Sequence, residues 1–153
     1  MSSKKSIIIG ILIILIVSFA TGCGFKSALS TDEFKEHMGA LGYTINDTKE
    51  GGYESKSYVV ASKSDLPYEI EYYEFEEEID AKKTFKKCED NLATYLTSSS
   101  ENLKTTSALF SRFTAKSEKE YIVFVRVKNT VIFIAGTNEY QEEIDSLLEE
   151  INY

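Results

Sequence analysis

The sequence predicts an α+β fold, an antiparallel sheet of about six strands with three helices, in the order α-βββ-α-βββ-α. Three observations lead there. Apolar residues recur at helical spacing in three separate segments, each flanked by polar residues. Between those segments stand two groups of short runs rich in Val, Ile, Tyr and Phe, joined by brief turns, which is how hairpin-connected strands read. Finally, 42% hydrophobic residues with one Pro and eight Gly in 153 residues supply a core and exclude a disordered or low-complexity chain.

Each element has its own signal. Ser30-x-x-Glu33 is a capping box opening the first helix, where Phe34, Met38 and Leu41 share a face and Gly42 is placed to cap the end. Strands follow at residues 43–47, 57–62 and 68–75, with Gly51-Gly52 marking a turn and Pro67 in a loop. The second helix covers residues 76–96 and carries Ala81, Phe85, Cys88, Leu92 and Tyr95 on one face. The polar stretch 97–106 reads as a loop. A second trio of strands occupies residues 109–114, 121–127 and 130–135, the last two joined by a Lys128-Asn129 turn in which Asn tolerates positive φ. Residues 131–135 are apolar at every position, which predicts a central strand covered on both faces. The last helix opens at Asn138 and buries Tyr140, Ile144, Leu147, Leu148 and Ile151. Short connections place the helices on one face of the sheet, and the two helix-then-strands blocks suggest a weak duplication.

The N-terminus reads differently. Lys4 and Lys5 precede an apolar run at residues 7–17, and the small residues Ser18, Ala20, Thr21 and Gly22 come after it. A run of about 11 residues is short for a membrane span, which needs about 20, but suits the hydrophobic part of a secretory signal. Ala20-Thr21-Gly22-Cys23 resembles the bacterial lipobox, with Ala20 where Leu is commoner. That resemblance implies diacylglycerol on the Cys23 thiol, cleavage between Gly22 and Cys23, and a lipoprotein on the outer face of the cytoplasmic membrane. Two acyl chains suffice for stable anchoring where one does not. The organisation is then a signal peptide at 1–22, a lipidated Cys and short tether at 23–30, and one extracytoplasmic domain at 31–153. The hairpin at residues 126–135 and the closing helix look similar to parts of small uncharacterised lipoproteins of Gram-positive bacteria, a resemblance that brings no activity with it.

Charge narrows the partners. The formal charge is −8, and losing Lys4 and Lys5 leaves the mature part at −10. Such a domain does not bind nucleic acid through its phosphates, and anionic headgroups repel it, so the membrane attachment falls to the anchor on Cys23. The same charge opposes self-association and predicts a monomer.

The candidate chemistry is sparse. Cys88 is the one Cys left once Cys23 is lipidated, and its helical face makes it a small buried hydrophobe rather than a reactive thiol. His37 is the only His and reads as a surface or half-buried helix residue; a dyad with Cys88 would need tertiary proximity. The acidic run Glu69, Glu71, Glu74, Glu76, Glu77, Glu78 and Asp80 lacks calcium-loop spacing, so it reads as a solvated sheet edge followed by acids complementing a helix dipole. Tyr58, Tyr72, Tyr73 and Tyr121 lie in strands, where aromatics are favoured; several on one uncovered face would make a binding platform.

No catalytic residue, metal ligand or cofactor is assigned. The leading expectation is a non-enzymatic binding or accessory module of the envelope, whose partner is an envelope protein or a small ligand. The alternatives are a hydrolase using two carboxylates across a cleft and an inhibitor or immunity protein acting through its sheet.

Overall fold

The structure, a computed structural model, describes residues 26–48, 53–95 and 101–153. The expected signal segment with Gly22 and Cys23, and the expected Gly51-Gly52 turn, lie outside the described residues. In chain order the elements are helix α1 (Thr31–Ala40), strands β1 (Thr44–Thr48), β2 (Ser57–Ser62) and β3 (Glu69–Glu74), and helix α2 (Glu78–Tyr95). Strands β4 (Glu101–Thr106), β5 (Phe110–Lys116), β6 (Glu120–Val127) and β7 (Thr130–Thr137) follow, then a 3-10 turn (Asn138–Tyr140) and helix α3 (Gln141–Glu150). The strands form one antiparallel sheet in the order β1-β2-β3-β7-β6-β5-β4. Two meanders, β1-β2-β3 and β4-β5-β6-β7, meet where β7 pairs with β3, Tyr72 opposite Ile132.

Three expectations change. The sheet has seven strands rather than about six, because Glu101–Thr106 in the polar stretch pairs with β5, with Leu103 opposite Thr114. All six residues of β4 are exposed, so neither face of the strand is packed and no alternation of apolar residues marks it. The helices do not share one face: α1 and α3 cover one side and α2 covers the other. The acids of β3 do not lie on a sheet edge, since β3 is held between β2 and β7.

The larger core lies on the α1/α3 side. Phe34 and Met38 of α1 and Ile144, Leu147 and Leu148 of α3 pack on Val59, Ile70, Tyr72, Val123, Val125, Ile132 and Ile134. Phe34 stacks on the Tyr72 ring with centroids 4.4 Å apart. On the other side Ala81 and Phe85 of α2 meet Tyr73, Val131, Phe113 and Phe124. The expected double coverage of β7 follows from its central position: Val131 and Ile132 are both buried and point to opposite faces.

Local chemistry fixes the ends. At α1, Glu33 Oε2 accepts from the Ser30 N–H at 2.7 Å while Ser30 Oγ caps the Glu33 N–H, as the capping box predicts. Gly42 takes φ +84°, and Tyr43 N–H reaches back to Met38 O at 3.0 Å, a Schellman closure. The end of α3 repeats it with Asn152 at φ +65°, and Tyr153 N–H bonds to Leu148 O at 2.7 Å. That closure turns Tyr153 into the core. In the Lys128-Asn129 turn the positive φ falls on Lys128, at 51°, and not on Asn129. Asn129 instead ties the hairpin to the end of β3, donating from Nδ2 to Phe75 O at 2.8 Å and accepting from Phe75 N–H at 2.9 Å.

Candidate functional site

Helix α2 packs over β6, β7 and the Tyr73 end of β3 but leaves the rest of that face of β1 to β3 open. The result is a cavity beneath the helix that continues into a groove on the bare sheet. The cavity, about 280 Å³, is lined by Tyr53, Glu71, Tyr73, Cys88, Leu92 and Phe133 among others. The groove, about 660 Å³, is lined by Thr44, Ser62, Lys63, Glu69, Glu71 and Phe133 among others. Glu71 and Phe133 belong to both. They are also direct partners across the β3–β7 ladder, so their side chains rise together from the sheet.

Aromatic rings wall this region. Tyr58 and Tyr73 are cross-strand partners and stack with centroids 4.7 Å apart. Tyr53 meets Tyr73 edge-on at 5.4 Å. Both strand phenols turn to one carboxylate: Tyr58 donates to Glu71 Oε2 at 3.3 Å, and Tyr73 donates to the same oxygen. Burial holds the Tyr73 phenol far above its usual pKa, and the bond to Glu71 adds to that. Tyr53 is raised as well, first by burial and then by its bond to Cys88. These phenols therefore stay protonated donors at physiological pH.

Of the four strand tyrosines singled out by sequence, the sheet separates two from two. Tyr58 and Tyr73 line the α2 side, whereas Tyr72 and Tyr121 are buried in the opposite core. Tyr72 donates to Leu29 O at 2.6 Å and Tyr121 to Asp145 at 2.6 Å, so both are engaged within the fold.

Cys88 sits in the cavity wall half-buried rather than fully buried, 3.0 Å from the Tyr53 hydroxyl. Burial pushes its thiol pKa up, and the Tyr53 hydrogen bond offsets this only in part. His37 is half-buried on α1, across the sheet from Cys88, so the two form no dyad. A thiol reagent is accordingly expected to label Cys88 slowly in the native protein and at the free-thiol rate after denaturation. Native labelling as fast as the denatured rate would mean an exposed thiolate.

The acidic run divides by position. Glu69 and Glu71 share one face of β3, as their spacing predicts, but that face lines the groove. Glu74 is spent on structure, accepting from the Thr31 N–H at 3.0 Å and from Lys56 Nζ at 2.9 Å. Glu76 and Glu77 precede α2, and Glu78 and Asp80 occupy its first turn. Among the described residues no group of three or more His, Cys, Asp or Glu is placed to hold a metal ion.

Sequence reasoning missed Glu71 as a site residue, although acids alternating with strand aromatics at Tyr68-Glu-Ile-Glu-Tyr-Tyr were the available signal. It also missed Arg126, which is 2% exposed. Its guanidinium donates to Lys128 O, Ser107 O, Ala108 O and Ser111 Oγ at 3.1–3.3 Å, and burial lowers its pKa. Arg126 thereby clasps the β4–β5 turn to the β6–β7 turn. Comparison with protein-family models, with curated proteins and with solved structures finds no match for this chain.

Proposed function

We propose that this chain is a lipid-anchored, extracytoplasmic binding module that takes a small ligand in the cavity beneath α2. The observation that carries the reading is the cavity itself: apolar and aromatic walls around one oriented carboxylate, Glu71. Mostly apolar pockets with a few placed polar groups are the usual form of small-ligand sites, and about 280 Å³ falls just below their usual volume of roughly 300 Å³ and more. The groups in the wall favour binding over chemistry. Cys88 is held protonated, and Glu69 and Glu71 stand side by side on one strand rather than facing each other across a cleft, as a glycosidase pair does.

The anchor is the Cys23 lipid of the lipobox reading. Residues 26–30 are fastened to the domain: Lys26 Nζ donates to Tyr153 O, and Leu29 N–H donates to the Tyr153 hydroxyl at 3.3 Å.

Two measurements test the reading. Replacing Cys23 by Ala is expected to abolish metabolic labelling with a palmitate analogue and to release the protein or leave it unprocessed. Persistent labelling refutes the anchor. For the cavity, small aromatic fragments titrated into the isotope-labelled protein in nanodiscs should shift the amide resonances of Tyr53, Cys88 and Phe133 before others. Shifts that cluster elsewhere refute the cavity as the binding site.

A further inference from the structure

We infer that the ligand of this cavity is a small organic ammonium ion, its charge set on Glu71 and its apolar body against Phe133, Phe124 and Leu92; this rests on the binding reading above. The argument begins with where the backbone puts the carboxylate. Glu71 is on an inner strand, with Val60 and Phe133 as its direct neighbours on either side. Half-buried and lining both the cavity and the groove, its carboxylate is set to take a cationic partner.

The protein supplies only part of one. Oε2 takes the phenols of Tyr58 and Tyr73, while Oε1 has no hydrogen-bond partner among the described residues. None of the ion pairs among the described residues includes Glu71. No Lys or Arg lines the cavity. Lys87 lies 5.5 Å from the Tyr53 centroid, and Lys63, in the groove, lies 4.4 Å from that of Tyr43. Two neutral phenols orient the carboxylate but leave its charge unmatched.

A cation that enters meets two complementary features. Oε1 accepts a charge-assisted hydrogen bond from an N⁺–H. Around it, Tyr53, Tyr73 and Phe133 present ring edges and faces, and aromatic faces attract cations. Glu69 on the same face of β3 adds a second negative charge toward the groove, which with Lys63 carries two acids against one base. Anionic ligands are repelled by the same two acids, and a neutral ligand leaves Glu71 as unmatched as before. The cavity volume restricts the body to about the size of one aromatic ring with a short chain.

The test uses an isosteric pair, 2-phenylethylammonium and 2-phenylethanol, titrated into the processed lipoprotein in nanodiscs at neutral pH. Amide shifts locate the site and calorimetry gives the affinity. The ammonium is expected to shift the cavity resonances and to bind at least about tenfold tighter than the alcohol. In Glu71→Gln that preference is expected to vanish, with circular dichroism confirming the fold. The wild-type comparison stands alone should that variant fold poorly. Equal binding of the two probes at the cavity overturns the ammonium assignment and leaves the binding module standing. Absence of cavity shifts with the ammonium also overturns the assignment, and the fragment titration then judges the module separately. An ammonium preference that persists in a folded Glu71→Gln protein overturns the role of Glu71.

Discussion

Replacing Tyr153 by Ala is expected to destabilise the domain by about 4 kcal/mol, whereas Tyr153→Phe costs about 1 kcal/mol. Tyr153 is fully buried and packs into the main core with Ile144, Leu148 and Ile151. Its hydroxyl shares a 2.6 Å hydrogen bond with Thr130 Oγ1 and accepts from the Leu29 N–H at 3.3 Å. Truncation to Ala removes the ring, opens a cavity and leaves the buried Thr130 hydroxyl with fewer partners. Phe keeps the ring and loses only the polar contacts. The ring is the larger contribution because fully burying an aromatic side chain outweighs the net worth of one or two neutral hydrogen bonds. Thermal unfolding checks both: the Ala variant should melt roughly 15 °C lower and the Phe variant within a few degrees of wild type. Equal losses in the two variants would place the stabilisation in the hydrogen bonds instead.

Alkaline pH is expected to unfold the domain in a single steep transition above pH 11, accompanied by a burst of tyrosine ionisation. Burial raises the phenol pKa of Tyr43, Tyr53, Tyr58, Tyr68, Tyr72, Tyr73, Tyr121 and Tyr153 above the ordinary value of about 10. Tyr121 and Tyr153 are each pushed up to about 12. A phenol harder to ionise in the folded state than in the unfolded one contributes stability that is complete below pH 10. That contribution is lost as pH rises through the folded value near 12, because the unfolded chain gives up its protons first. For the fully buried Tyr153 the rise from about 10 to about 12 is worth roughly 3 kcal/mol. The other raised phenols act in the same direction. Tyrosinate absorbance and circular dichroism, followed against pH, should change together. Gradual ionisation centred near pH 10 with the circular dichroism intact would show that the rings are open to water.

Much of the secondary structure is legible one segment at a time. The capping box at Ser30 and the closing Gly42 both appear where the sequence puts them, since each depends on a few neighbouring groups. Strand Ser57–Ser62 agrees in full, and the apolar run of β7 announces a central strand, covered on both faces at Val131 and Ile132 while Phe133 and Ala135 line the groove. β4 is not legible because it is exposed throughout, and pairing without burial leaves no periodic trace. Lys128 takes the positive φ that the composition assigns to Asn129, because Asn129 is held by Phe75 from another strand.

By itself the sequence determined the α+β class, antiparallel pairing and the caps of the first helix. All of these rest on local spacing, on turn chemistry or on a short contiguous signal. Only the tertiary structure decided which strands are neighbours and which face each helix covers. The pairing of β7 with β3 brings together residues about 60 positions apart, such as Glu71 and Phe133, and no local pattern records such a contact. That single pairing converts Glu71 from an acid on a wet edge into a carboxylate in an aromatic cavity. The placement of α2 across the sheet from α1 does the same for Cys88 and His37, which it parts. Sheet order and helix side are settled by the burial of whole faces against one another, and that balance is summed over the entire chain.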